Sequence, residues 1–154
     1  MAVPFVFNIA KGRVAEFYNR VESNDPANSA IILIPCSAGD TEANAQDADT
    51  VTAALATAIN EQTTGSWVRK TLTNTELAAF PAPNDTDNRY DVPLPAVVWT
   101  APSAATTHLL VAYDADTTGG TDADLVPLTF HEFVNAGTGS VDVTLNAGNF
   151  FQAG

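Results

Sequence analysis

Short apolar runs separated by loops crowded with Asn, Asp, Gly and Pro divide this chain from end to end. Ile31-Ile32-Leu33-Ile34 stops at Pro35, and His108-Leu109-Leu110-Val111-Ala112-Tyr113 opens directly into an Asp- and Gly-rich loop. Runs of β-branched and aliphatic residues bounded in this way read as strands. Further strands are expected at 67–72, 96–100, 126–133 and 139–145. Val92-Pro93-Leu94-Pro95 must also be extended, because each proline pushes its predecessor toward β and cannot donate to a ladder. It therefore belongs at an edge or in a crossing arm. The expected fold is mainly β (a β-rich α+β), one domain over residues 1–154, built as a sandwich or barrel of about seven strands with one or two short helices.

Residues 12–21 admit two readings. As a strand, Ala15, Phe17, Asn19 and Val21 face one way and Glu16, Tyr18 and Arg20 the other. As a helix, Ala10, Val14, Phe17 and Val21 share a face. The strand is preferred: Gly12 enters it, and the turn-rich Asn24-Asp25-Pro26-Ala27-Asn28 leads straight into residues 31–34 as a hairpin would. A helix is expected from a cap at Asp49 or Thr50 through about Asn60, with Val51, Leu55, Ala58 and Ile59 apolar. Thr73 and Glu76 fit a capping box, opening a short helix over 76–80 that Pro81 and Pro83 stop.

Charge narrows the functions open to the chain. Residues 90–154 carry seven carboxylates and no lysine or arginine, a sum of −7. The first 89 residues hold all six basic groups against eleven acids, and the total is −12. Such a surface repels phosphate backbones and anionic lipid, so neither nucleic acid nor membrane is an expected partner. Cations or a basic partner suit it better. Charged residues are 16%, below the usual ~25%, and 26 alanines and 19 threonines fill the difference. A weakly charged surface of this kind suits a protein that works against other protein. No apolar run approaches the ~20 residues that span a bilayer. The opening Met1-Ala2-Val3-Pro4-Phe5-Val6-Phe7 lacks the basic start of a secretory signal. Cys36 has no partner for an internal disulfide and reads as a small buried hydrophobe.

The sharpest local feature is the loop 114–124. Asp114, Asp116, Asp122 and Asp124 surround Gly119-Gly120, and oxygen ligands on a tight glycine-bearing loop are what Ca²⁺ takes. In an EF-hand count Asp114 and Asp116 fall at the first and third positions and Gly119 at the sixth. Leu125 stands where the bidentate Glu should be, so the loop is no EF-hand. The other reading is a hairpin loop whose glycines supply positive φ and whose aspartates stay solvated. No cofactor is otherwise implied. Residues 84–91 form a second acidic loop better explained by turn chemistry. Catalysis has little to work with. His108 and His131 are the only histidines, and His131 and its neighbour Glu132 should point to opposite faces of a strand. Zinc spacing, the nucleophile elbow and glycine-rich phosphate loops are all missing from the sequence. The apolar ends, with Phe5 and Phe7 at one and Phe150 and Phe151 at the other, either close the protein's own sheet or dock onto another subunit.

Several blocks resemble small structural proteins encoded by tailed bacteriophages. They are Phe7-Asn8-Ile9-Ala10-Lys11-Gly12-Arg13-Val14-Ala15-Glu16-Phe17-Tyr18, residues 24–33, 84–91 and 113–122, and Ala147-Gly148-Asn149-Phe150-Phe151. The similarity spreads over nearly the full length and carries no catalytic signature. The resemblance implies a virion-associated protein, best matched in size by a capsid decoration or cement protein on the capsid exterior. Its partners would be the phage major capsid protein and other virion proteins. It would act as a homo-oligomer, a trimer being favoured. A tail or connector component, or a Ca²⁺-dependent receptor- or sugar-binding module, are the alternatives.

Overall fold

The computed structural model describes residues 4–153. In chain order the strands are β1 (Phe5–Val6), β2 (Ala30–Ala38), β3 (Asn60–Glu61), β4 (Lys70–Leu72), β5 (Tyr90–Leu94), β6 (Val97–Trp99), β7 (Thr106–Asp114), β8 (Val126–Asn135), β9 (Val143–Leu145) and β10 (Gly148–Ala153). The helices are α1 (Val14–Glu22), α2 (Glu42–Ala45) and α3 (Val51–Leu55). All strand pairs are antiparallel, and the fold is mainly β, as the residue pattern predicts.

The main sheet runs β1-β8-β7-β2-β3, with β4 also paired to β2. Both of its faces are covered, which explains the continuous apolar run in β2. Ile31 and Leu33 face one core, and Ile32, Ile34 and Cys36 face the other. A strand buried on both sides loses its polar alternation. The second core is closed by α2, α3 and the N-terminal segment, with Phe5 6% exposed and Phe7 fully buried.

The first core is covered by α1 and by a long two-stranded ribbon. In that ribbon β6 pairs with β9 (Val97 opposite Leu145) and β5 with β10 (Leu94 opposite Gly148). The two pairings share one register as far as a bulge between Asn149 and Phe151, so 90–99 and 143–153 act as a single hairpin-like arm creased at Pro95-Ala96. Val92 and Leu94 face inward before the crease, and Val97 and Trp99 after it. The prolines thus do what the sequence implies: they keep this segment out of the main sheet and place it in a layer packed on it.

Residues 14–22 form a helix, correcting the preferred strand reading. Val14, Phe17, Tyr18 and Val21 are buried, while Glu16 pairs with Arg13 and Arg20 on the outer side. The helical period outweighed the β propensity of single residues, and β2 takes its partners from β7, β3 and β4 instead. The helix expected to reach Asn60 does start at Thr50, whose Oγ1 accepts the Ala53 amide at 3.1 Å. It ends at Leu55 because side chains capture the next backbone groups. The Thr57 hydroxyl donates to the Ala54 carbonyl, and Asp40 accepts the Ala58 amide. The helix over 76–80 does not form. Glu76 accepts the Thr73 amide at 2.8 Å, but the Thr73 oxygen is shared with Thr75 and Glu76, and the chain makes one turn anchored by buried Leu77. The strands foreseen at 67–72 and 139–145 shrink to β4 and β9.

The ribbon is locked to the sheet by the strap 101–105, which joins β6 to β7. The Trp67 indole donates to the Ala104 carbonyl, and Gln62 Nε2 donates to that of Ala105, both at 2.6 Å. The Ser103 amide donates to Gly65 and the Gly139 amide to Pro102, both at 2.8 Å. Gly137, at φ +62°, lies so close that a Cβ there would meet the Ala104 oxygen at 1.9 Å.

Candidate functional site

The four loop aspartates do not converge. Asp114 Oδ1 accepts the Asp116 amide, and Asp116 Oδ1 accepts both the amide and hydroxyl of Thr118. Asp124 Oδ2 accepts the Thr121 amide and hydroxyl. The Thr118 contacts hold the Asp116 carboxyl below its ordinary range. Among the described residues no group of three or more acids, histidines or cysteines is placed to hold a metal. The Ca²⁺ reading of Asp114, Asp116, Asp122 and Asp124 is therefore corrected: Asp114, Asp116 and Asp124 serve as turn formers, each closing its own short loop.

Asp122 is turned to a partner 53 residues away. Arg69 bridges it and Glu61, donating from Nε to Glu61 Oε1 at 2.7 Å and from Nη2 to Asp122 Oδ2 at 2.8 Å. These bonds raise the Arg69 pKa and lower that of Asp122. With the Asp122 carbonyl accepting the Thr52 amide and the Leu125 carbonyl accepting that of Val51, the clamp fixes the acidic loop against β3, β4 and α3. Nothing in the local sequence around Arg69 signals this triad.

The histidines lie on opposite faces of the sheet. His131 faces the ribbon, its Nε2 2.8 Å from the Thr129 hydroxyl, and burial lowers its pKa to about 4. It borders a cleft of about 220 Å³ between ribbon and sheet, lined by Leu94, Leu109, Val111, Phe133 and Phe150. His108 stacks on Phe130 with ring centroids 4.8 Å apart, and Gly39 is packed against its ring, where any Cβ would collide at 2.6 Å. Burial lowers its pKa as well. Glu132, the sequence neighbour of His131, is the cross-strand partner of His108. Sequence reasoning rightly separated His131 from Glu132, but the register that puts Glu132 beside His108 is not written locally. Burial pushes the Cys36 thiol up to about 12.

Both apolar ends pair within the chain. Phe5 lies opposite Phe130 in β8, and Phe5, Phe7 and Phe130 form an aromatic group with centroids 5.0 and 5.5 Å apart. Phe5 and Phe7 are thus core residues, and their expected role as docking residues is corrected. Phe150 and Phe151 are half-buried on β10, against the first core and β5. Among the described residues no helix is long and apolar enough to cross a membrane.

Fold and side-chain geometry together define a single mainly antiparallel β domain whose reactive groups are held by neighbours. Compared with family models, with characterised proteins and with solved structures, the chain matches none of them.

Proposed function

We propose that this protein is a structural subunit of a tailed-bacteriophage virion, acting as a decoration or cement protein that binds assembled capsomers on the capsid exterior. The phage setting is supported by the resemblance, spread in blocks from Phe7 to Phe151. The observation that carries the structural role is the commitment of reactive side chains to the fold. His108 is stacked, His131 is buried, Cys36 is protonated in the core and Arg69 is clamped between two carboxylates. A module organised in this way offers a rigid surface. Binding the assembled shell and not its free subunits shifts the equilibrium against disassembly.

The test is a comparison of particles with and without the protein. Particles lacking it should release their DNA at lower temperature, and labelled protein should decorate the capsid at its symmetry axes. Equal thermal resistance would remove the cement role, and label confined to the tail or connector would move the protein there.

A further inference from the structure

Gly148 leaves a gap in the ribbon. It lies opposite Leu94 in the β10–β5 pair, and Leu94 is 4% exposed against the first core. Directly opposed residues of an antiparallel pair turn to the same face, so position 148 faces the main sheet. A Cβ built there would meet nothing within 4 Å, and the backbone lies outside the left-handed region, so conformation does not call for glycine. A glycine inside a strand marks a place where something else comes close. The space it leaves belongs to the cleft of about 220 Å³ that Leu109 and Val111 of β7 line from the sheet side. An apolar cavity of ~150 Å³ already admits benzene. This one therefore has room for a ring with small substituents.

We propose that this cleft binds a small uncharged molecule with an apolar ring and one hydroxyl, a phenol, with the hydroxyl bonded to His131 Nδ1. His131 lines the cleft, and its Nε2 is committed to the Thr129 hydroxyl at 2.8 Å. Its Nδ1 is bonded to no described residue and is not sealed from solvent. If Thr129 donates to Nε2, Nδ1 carries the ring proton and donates. If Nε2 carries it, Nδ1 accepts. A hydroxyl answers both cases, whereas an ether or a ketone answers only the first. Charge narrows the ligand further. No lysine or arginine lines the cleft, and burial keeps His131 uncharged at neutral pH. A carboxylate or phosphate would enter with no counter-charge, at the full cost of its desolvation. Glu132 borders the cleft but follows His131 on the strand and stands opposite His108, so its side chain points to the other face of the sheet and leaves an ammonium equally unpaired. Phe133 and Phe150 in the walls suit an aromatic ring, which packs well against others offset or edge to face.

Binding at this cleft is independent of the virion reading and is tested on purified protein without particles. Calorimetric titration with p-cresol should give a dissociation constant of about 1 mM or tighter. The same titration should shift the His131 imidazole resonances. Toluene, which lacks the hydroxyl, should bind about fivefold more weakly, and His131→Phe should abolish that preference. The anion p-toluate should not bind. Gly148→Leu should fill the cleft, keep a Tm at least equal to that of the parent and remove the p-cresol heat. If that variant loses its fold, Gly148→Ala reads the same space and should weaken binding. Absence of p-cresol heat up to about 5 mM would overturn the proposal. So would a folded Gly148 variant that binds like the parent, p-toluate binding as tightly as p-cresol, or a preference for p-cresol over toluene that survives His131→Phe.

Discussion

The Trp67 indole nitrogen donates to the Ala104 carbonyl at 2.6 Å, across 37 residues of chain. That bond satisfies the only polar atom of a side chain 2% exposed. It also places the ring against Trp99, whose own indole is satisfied by Val68. Buried indoles need such partners, and here each partner is the backbone of another loop. The strap is thereby fixed at the junction of the ribbon and the main sheet.

Replacing Gly137 with alanine should be costly. The new Cβ would fall 1.9 Å from the Ala104 oxygen at φ +62°, so the strap must move. A loss of about 3 kcal/mol and a fall in Tm of roughly 10 °C are expected. Gly12→Ala shares the positive φ but meets nothing within 4 Å. It should cost only about 1 kcal/mol. Calorimetric melting of both variants checks the contrast, and equal losses would contradict it.

Stability should fall on mild acidification. Folded His131 titrates near 4 against an ordinary 6.5. Between those values the unfolded chain binds a proton that the folded one excludes, so stability is full above about 6.5 and declines as pH falls toward 4, by at most ~3 kcal/mol. His108, also lowered, adds in the same direction. The carboxylates with lowered pKa values, Glu16, Asp40, Glu76, Asp116 and Asp122, lose their contribution only at lower pH. Urea melts at about pH 7.5 and pH 5 should show this slope, and His131→Phe should flatten most of it.

Removing Arg69 should loosen the acidic loop. Arg69→Met leaves Glu61 and Asp122 facing each other unpaired, at a cost of about 2 kcal/mol once partial exposure is allowed for. Hydrogen exchange should accelerate at the amides of Thr52 and Val51, which bond to the loop. Unchanged exchange there would mean that the clamp does not hold the loop in place.

Calcium should do nothing to this loop. Its carboxylates already accept backbone and hydroxyl hydrogens, so titration with millimolar Ca²⁺ should give no binding heat and no rise in Tm. A measurable heat would restore the metal reading.

The Cys36 thiol should report on unfolding. Fully buried and pushed up to about 12, it should resist thiol reagents in the native protein at mildly alkaline pH and react only as the fold opens. Rapid native-state modification would place it nearer the surface than the structure does.

The separation between local and global information falls along physical lines. Strand identity at β2, β7 and β8, the placement of Pro93 and Pro95 outside the main sheet, and the Thr50 cap depend on residues close in sequence, and all were legible there. The turn alternative for the loop 114–124 was equally readable, because Asp and Thr side chains close their own turns. Residues 12–21 were misread because both periods fitted, and only the assignment of β2's partners decided between them.

Sequence alone fixed the mainly β class, the acidic character and the loops, since these follow from composition and from contacts within a few residues. Tertiary structure alone decided that Phe5 and Phe7 lie in the core, that Asp122 meets Arg69, and that Glu132 sits beside His108. Each of those depends on strand register or loop closure between distant segments, which no local run of side chains encodes.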